Sequence, residues 1–593
     1  MTETAHPRRG AILRLLESRP AAVGLAAGIA LVGLVPQFLS RTLPDISYLL
    51  YAAGRVIDGA RLYVDLLEIN PPLIVWLNMP VVAVARLLGA SEITAYRLAV
   101  TALLVASVLA CRWLLLHTSS GADPVQRRGI ILLLVFSLFV LPRLDWGERE
   151  HLTLALTLPY LLLAIARLQG RTTGRLATTA IGLGAAVGIA IKPYFVALWF
   201  AREGLLALAG RTRGPTPEGW VIVAAGFAYA AAVAIVTPEY FALAGELGGA
   251  YQRFIHNPLL VTALLGDGAA LSIGALLLAA GLWRHVTAGE LRVVLIAGIA
   301  AFYLAAVMQL KGWRYHFYPA LALSWLLLVL LSLRLHRPLF RWTERLFAAA
   351  AGAGALLLAA LVIFGCLAQA ARPLDPRYDA DPSVGQLIPV VRQRSAGQDV
   401  IVLSPNMASG FPLTTYSGAR WPLRFQHLWP LVAAYDSAIA SPSPLILRDS
   451  AHMTSLERRV VDVVAEDMMR STAPLMLVLR TGPDEPRWGM RRLDLLEFLS
   501  RDDRIARKLA EYEPAGVVGQ YEVYQRRGGP ALSLAVPTPG GSIAAAPGQP
   551  RVMRGAPFLL VMFALLLGGL YRREAGWFSR PGDLFEAGIQ PNA

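Results

Sequence analysis

Cysteine, lysine and charge are all scarce in this chain. Its 593 residues include only two cysteines, Cys111 and Cys366, each inside an apolar run, which excludes a disulfide framework and a cysteine-built metal site. Charged residues make up 16% against 55% hydrophobic, with a mean hydropathy of +0.51, and that excludes one soluble domain. A net charge of +15 would suit nucleic acid if it were clustered. The arginines instead stand singly or in pairs between apolar runs, as topology signals do. Of 55 basic residues only Lys192, Lys311 and Lys508 are lysine.

What is present is a series of eleven apolar stretches, a soluble block and one more apolar stretch. A bilayer demands roughly 20 apolar residues of a helix whose backbone must satisfy itself. The pattern therefore predicts a polytopic α-helical membrane protein of about 12 spans with an outer-side soluble α/β domain. Arg8-Arg9 resembles a twin-arginine signal, but Glu17 and the lack of a small-residue cleavage site make the first run an uncleaved anchor.

Loop charge sets the topology. With Arg8, Arg9, Arg14 and Arg19 in the cytoplasm, the run 72–89, opened by Pro71-Pro72 and interrupted by Pro80, decides everything downstream. If it spanned, every later basic loop would be inverted. If it lies along the outer leaflet, Arg127-Arg128, Arg167 to Arg175, Arg211 with Arg213, Arg284 with Arg292, Arg334 to Arg345 and Arg572-Arg573 all fall inside. The expected spans are about 20–40, 93–117, 129–142, 151–167, 176–191, 193–208, 219–237, 259–283, 291–309, 317–334, 347–370 and 556–571. The domains read as a cytoplasmic N-terminus (1–19), a membrane module (20–370) with outer juxtamembrane helices at 45–89, a periplasmic block and linker (371–554), a final span, and a cytoplasmic tail (572–593). Within the block, β-rich runs at Asp399–Ser404, Leu475–Arg480 and Val517–Tyr524 alternate with helical patterns near 453–471 and 491–500. The stretch 530–553, rich in Pro, Gly and Ala, reads as a linker.

This topology collects the chain's distinctive polar residues on the outer face. Asp45 stands about four residues past the first span, where it could act as a general base or cap a helix over Ser47–Asp58. Asp65, Glu68 and Asn70 flank the turn before the double proline. The second outer loop, Arg143 to His151, holds Asp145, Glu148 and Glu150. Its Arg143 and Arg149 go against positive-inside bias and need partners, either neighbouring carboxylates or a phosphate gripped bidentately. Lys192 and Lys311 stand at outer ends of spans, the second followed by Arg314 and His316. Snorkelling would explain either lysine; so would a point-charge contact to an anion. The aromatic and proline-rich loop Ser404–Pro430 and the connection 238–258 could face the same space, and neither receives a role.

In order, the chain shows an Asp after the first span, an Asn-Pro-Pro-Leu-Ile-Val-Trp-Leu juxtamembrane helix, Ala95-Tyr96-Arg97-Leu98 opening the next span, a basic cytoplasmic turn and an Arg-x-Asp outer loop. This pattern over residues 20–320 resembles the glycosyltransferase C superfamily, specifically bacterial relatives of protein O-mannosyltransferases and of the lipid A aminoarabinose transferase. The resemblance implies a glycosyltransferase C-like fold in a bacterial inner membrane, with the active site facing the periplasm. The implied activity transfers a hexose or pentose from a polyprenyl-phosphate donor to a hydroxyl acceptor (lipid, glycan or protein) with inversion. It implies Asp45 as catalytic base, aided by Asp145, Glu148 or Glu150, with Arg143, Lys192, Lys311, Arg314 and His316 holding the donor phosphate. Asp65, Glu68, Asn70 and His151 would stand around the acceptor. The chain departs from many relatives in having Ile46, not a second acid, after the Asp. No cofactor is implied with certainty, although so many carboxylates could hold a divalent cation. Two other readings use the same charges: a transporter or flippase of lipid-linked sugars, and a non-catalytic cell-envelope assembly subunit.

Overall fold

The computed structural model describes residues 15–281, 289–333, 342–439, 445–482 and 492–529. The N-terminal arginines up to Arg14, and the linker, last span and tail expected at 530–593, lie outside them. Seven helices are long and apolar enough to cross a membrane, or eight if a bent pair counts as one span. The protein is a helical membrane protein.

The helices up to residue 371 fall on the apolar runs, but not all as full spans: the expected span 259–283 is broken into two helices, and those at 129–142, 176–191 and 193–208 form only short helices. The helices are α1 (Arg19–Leu39), α2 (Pro44–Ile57), α3 (Leu73–Leu87), α4 (Glu92–Leu116), α5 (Pro124–Val135), α6 (Arg149–Leu168), α7 (Arg175–Ala190) and α8 (Val196–Leu208). Then come α9 (Pro217–Val236), α10 (Glu239–Arg253), α11 (Leu259–Leu265), α12 (Ala269–Gly281), α13 (Glu290–Met308), α14 (Arg314–Leu333) and α15 (Trp342–Ala371). Several begin where the sequence supplies a cap: Ser91, Asp123 and Thr216 each accept a backbone N–H of the first turn, satisfying donors that helix geometry leaves open.

Helix α6 is the axis. Its apolar window is 89% buried, against 17% for α9 and 22% for α15, so α6 is wrapped by protein while the others turn leucines outward. The far end of α6 is tied to α8 and α9 by an ion network: Arg167 and Arg202 both bind Glu218 (2.8 and 2.6 Å), and Tyr160 donates to Glu203 at 2.6 Å. A charge buried among helices needs such partners.

After α5 the chain continues as a π turn, Phe136–Val140, which leaves carbonyls short of their usual partners. Tyr318 donates to Ser137 O at 2.6 Å and His151 Nε2 to Leu138 O at 2.8 Å. Helix α1 packs on this turn through Gly33, where an added Cβ would overlap the Phe139 carbonyl. Gly33→Ala should therefore destabilise the protein by about 1–3 kcal/mol, read as a fall in Tm in detergent. An unchanged Tm would show that α1 shifts freely.

The soluble block is a four-stranded sheet, order β1-β2-β4-β3, made of β1 (Val400–Leu403), β2 (Leu475–Leu479), β3 (Tyr512–Val518) and β4 (Tyr521–Arg526). β1 and β2 run parallel and are buried along their whole length, as continuous apolar strands covered on both faces are. The expected single run Val517–Tyr524 is instead a hairpin that turns at Gly519, φ +57°. Alternation across a tight turn looks like one strand in sequence. The helix near 491–500 contracts to Leu495–Leu499, while Ser455–Arg470 starts with a reciprocal capping box between Thr454 and Glu457.

Candidate functional site

The block sits on the membrane helices through the loop Ser404–Pro430 and its neighbours. Tyr51 donates to Trp421 O at 3.0 Å, Leu67 N–H to Arg424 O at 3.0 Å, and Thr42 N–H to the Tyr416 hydroxyl at 2.9 Å. Beneath that loop lies a cavity of roughly 660 Å³. Its walls bring together Asp45, Glu68, Asn70, Asp145, Glu148, Lys311 and Arg314 from four separate segments. Asn406, Gln426, His427 and Trp429 roof it, and Tyr251 and Asn257 of the 238–258 connection complete it.

Asp45 occupies the second position of α2, which begins at Pro44 rather than Ser47, and the N-cap is Leu43 without a side-chain bond. Asp45 therefore caps nothing. Its carboxylate, 31% exposed, receives Arg149 Nη2 at 3.3 Å. For Arg149 the sequence left two partners open, a neighbouring carboxylate or a phosphate. Arg149 lines the cavity, is 5% exposed at its side chain, and keeps Nε and Nη1 without any protein partner. Its one signal in the sequence was an arginine on the wrong side for topology.

The other acids are distinguished by their partners. Asp145 meets Arg314 bidentately, Nε–Oδ2 2.8 Å and Nη2–Oδ1 3.0 Å. Burial raises the Asp145 pKa while Arg314 opposes the rise. Glu68 takes both the N–H and the side-chain amide of Asn70, at 2.8 and 2.5 Å; burial raises it and those bonds oppose. Glu148 is pushed well up by burial and then by the neighbouring Asp45 carboxylate. Glu68 and Glu148 are thus biased toward the protonated, hydrogen-bond-donating form.

Lys311 is on the wall, but its ammonium donates to three carbonyls at the end of α10: Tyr251 at 2.8 Å, Gln252 at 3.2 Å, and Phe254. A cation there completes a helix C-terminus, and burial lowers its pKa to about 8. All three protons are committed. Lys192, Glu150 and His316 form a buried layer behind the wall. Lys192 Nζ binds Glu150 Oε1 at 2.5 Å, His316 Nε2 stands 3.8 Å from the same oxygen, and Lys192 lies over the cavity-lining Tyr315 ring at 5.4 Å.

Three further expected residues lie away from the cavity altogether. Asp65 accepts the Arg61 N–H at 2.8 Å and fixes its own turn. His151 is locked between the Gly147 N–H (2.9 Å, on Nδ1) and Leu138 O, so Nε2 holds its proton and the ring braces the loop. Arg143, in the left-handed region at φ +48°, turns to a different pocket beside α15.

Among the described residues, no group of three or more His, Cys, Asp or Glu side chains could share a metal ion. No protein-family model and no curated protein matches this chain. The class defined by fold and site is a helical membrane protein with a charged cavity under a soluble cap.

Proposed function

We propose that the protein is an integral-membrane glycosyltransferase that moves a sugar from a polyprenyl-phosphate donor to a hydroxyl acceptor at the periplasmic face of a bacterial inner membrane. The observation that carries this reading is the Asp45–Arg149 pair inside a cavity whose lining also includes exposed apolar residues of α11. Leu265 lines the cavity and is 76% exposed, in the short helix α11 with Leu259 (59%) and Leu260 (72%). The pair α11–α12 is bent by 68°. An amphiphile with an anionic head and a prenyl tail matches both surfaces.

Crossing parity supports the juxtamembrane assignment of α3. Asn70 and Glu148 line one cavity, and α3, α4 and α5 lie between them. If α4 and α5 each cross, α3 does not.

Asp45 removes the proton of the acceptor hydroxyl, and the oxygen bonds to the anomeric carbon as the carbon–oxygen bond to phosphate breaks. The phosphate leaves with the electron pair and the anomeric centre inverts. The unpartnered nitrogens of Arg149 are the donors available to that phosphate, a planar fork suited to it. Glu148, whose pKa burial and the Asp45 carboxylate raise, stands on the same wall. Arg149→Met should cut turnover by about 10²–10³-fold, and Arg149→Lys should retain charge but not the fork. Equal rates in wild type and Arg149→Met would remove Arg149 from the reaction.

The deciding experiment incubates purified protein with radiolabelled undecaprenyl-phosphate hexose and pentose. Released undecaprenyl phosphate supports the transferase. Movement across a proteoliposome without cleavage identifies a flippase instead, and neither outcome in any acceptor extract favours an assembly role.

A further inference from the structure

Arg143 leads to a second site, independent of the transferase reading. Its pocket, about 670 Å³, is lined by three arginines (Arg143, Arg372 and Arg377) and by Leu361, Phe364 and Gly365 of α15, and no carboxylate lines it. Among the described residues, the only acid bound to any of the three is Asp375, on Arg377 at 2.7 Å. Arg143 Nε is shut off from water with no partner. The guanidinium lies directly on the α15 backbone, where a Cβ at Gly365 would come within 2.7 Å of its central carbon. Glycine at 365 thus makes room for the cation.

We propose that this pocket binds the phosphate headgroup of an anionic phospholipid. Three arginines cluster at one helix end with a single acid, Asp375, bound to one of them, so the remaining compensating charge comes from outside the protein. The source is a lipid, not a free anion, because the pocket floor continues into the apolar face of α15. Leu357 (60%), Leu361 (58%), Phe364 (70%) and Leu367 (53%) are exposed along it, and Gly352–Ala371 is a candidate span. Arg372 follows immediately, at headgroup level. The site also gives a physical reason for the left-handed backbone at Arg143: that conformation, with Gln37 Nε2 bonded to the Arg143 carbonyl at 2.8 Å, turns the side chain away from the large cavity and onto α15.

The test uses full-length protein in phosphatidylcholine nanodiscs with phosphatidylglycerol titrated in, read as the rise in Tm. Wild type should be stabilised at low phosphatidylglycerol fractions. Arg372→Gln/Arg377→Gln should need about fivefold more lipid per arginine removed, and Gly365→Val should behave alike with every charge retained. The arginine variant lies at the surface and should keep the wild-type Tm in pure phosphatidylcholine, whereas Gly365→Val, at a buried position against Arg143, is read as its phosphatidylglycerol-dependent rise above its own Tm in pure phosphatidylcholine. The idea is overturned if phosphatidylglycerol protects the variants as well as wild type, or protects wild type no better than phosphatidylcholine. Inorganic phosphate giving the same protection would assign the pocket to a soluble anion and overturn the lipid. None of these outcomes depends on sugar transfer.

Discussion

Asp45→Asn should lower sugar transfer by about 10²–10⁴-fold while the protein folds and inserts as before. The substitution keeps an oxygen that can accept the Arg149 bond, 3.3 Å in the native protein, and changes only the capacity to take a proton. Asp45 is 31% exposed at its side chain and meets only one nitrogen of one cation, Arg149. Asp145 is held by Arg314 and Glu68 by Asn70, so neither is as free to accept a proton from a substrate. Asp145→Asn should accordingly loosen Arg314 and weaken binding more than it slows the chemical step. The check is turnover of a labelled polyprenyl-phosphate sugar alongside the melting curve of each variant. Turnover of Asp45→Asn equal to wild type would end its assignment as base.

The largest effect on stability should come from Lys192→Met. It leaves Glu150, fully buried at 0% exposure, without the ammonium that lies 2.5 Å away. Breaking a buried pair from one side costs about 3–5 kcal/mol, because the remaining charge stays desolvated. Lys192→Met/Glu150→Gln should recover most of that loss, since two neutral groups need less compensation. Denaturation in a mild detergent measures both. A double variant as unstable as the single one would mean that lysine packing, rather than charge pairing, matters here. The single variant should bind donor phosphate with affinity close to wild type once refolded, because Lys192 lies behind Tyr315 and does not line the cavity.

These two residues illustrate what local sequence could and could not reveal. Lys192 and Lys311 stood out because the chain hardly uses lysine, and an anion was a fair chemical inference from a point charge at a span end. Folding gave both a protein partner instead: Glu150 for one, three backbone carbonyls for the other. Arg143 and Arg149 carry the same sequence signal six residues apart, yet the left-handed turn at 143 and the helix starting at 149 send them to different pockets. The roof over the cavity was visible only as an aromatic, proline-rich stretch. Its contacts with α2 join residues more than 300 apart in sequence.

Hydrophobicity, a local quantity, was enough to mark a helical membrane protein and the later stretch that folds around a sheet, because insertion acts on one segment at a time. Which cation meets which acid was decided by tertiary structure alone. A buried charge takes the nearest partner that packing offers, and that distance is set by helices far apart in the chain.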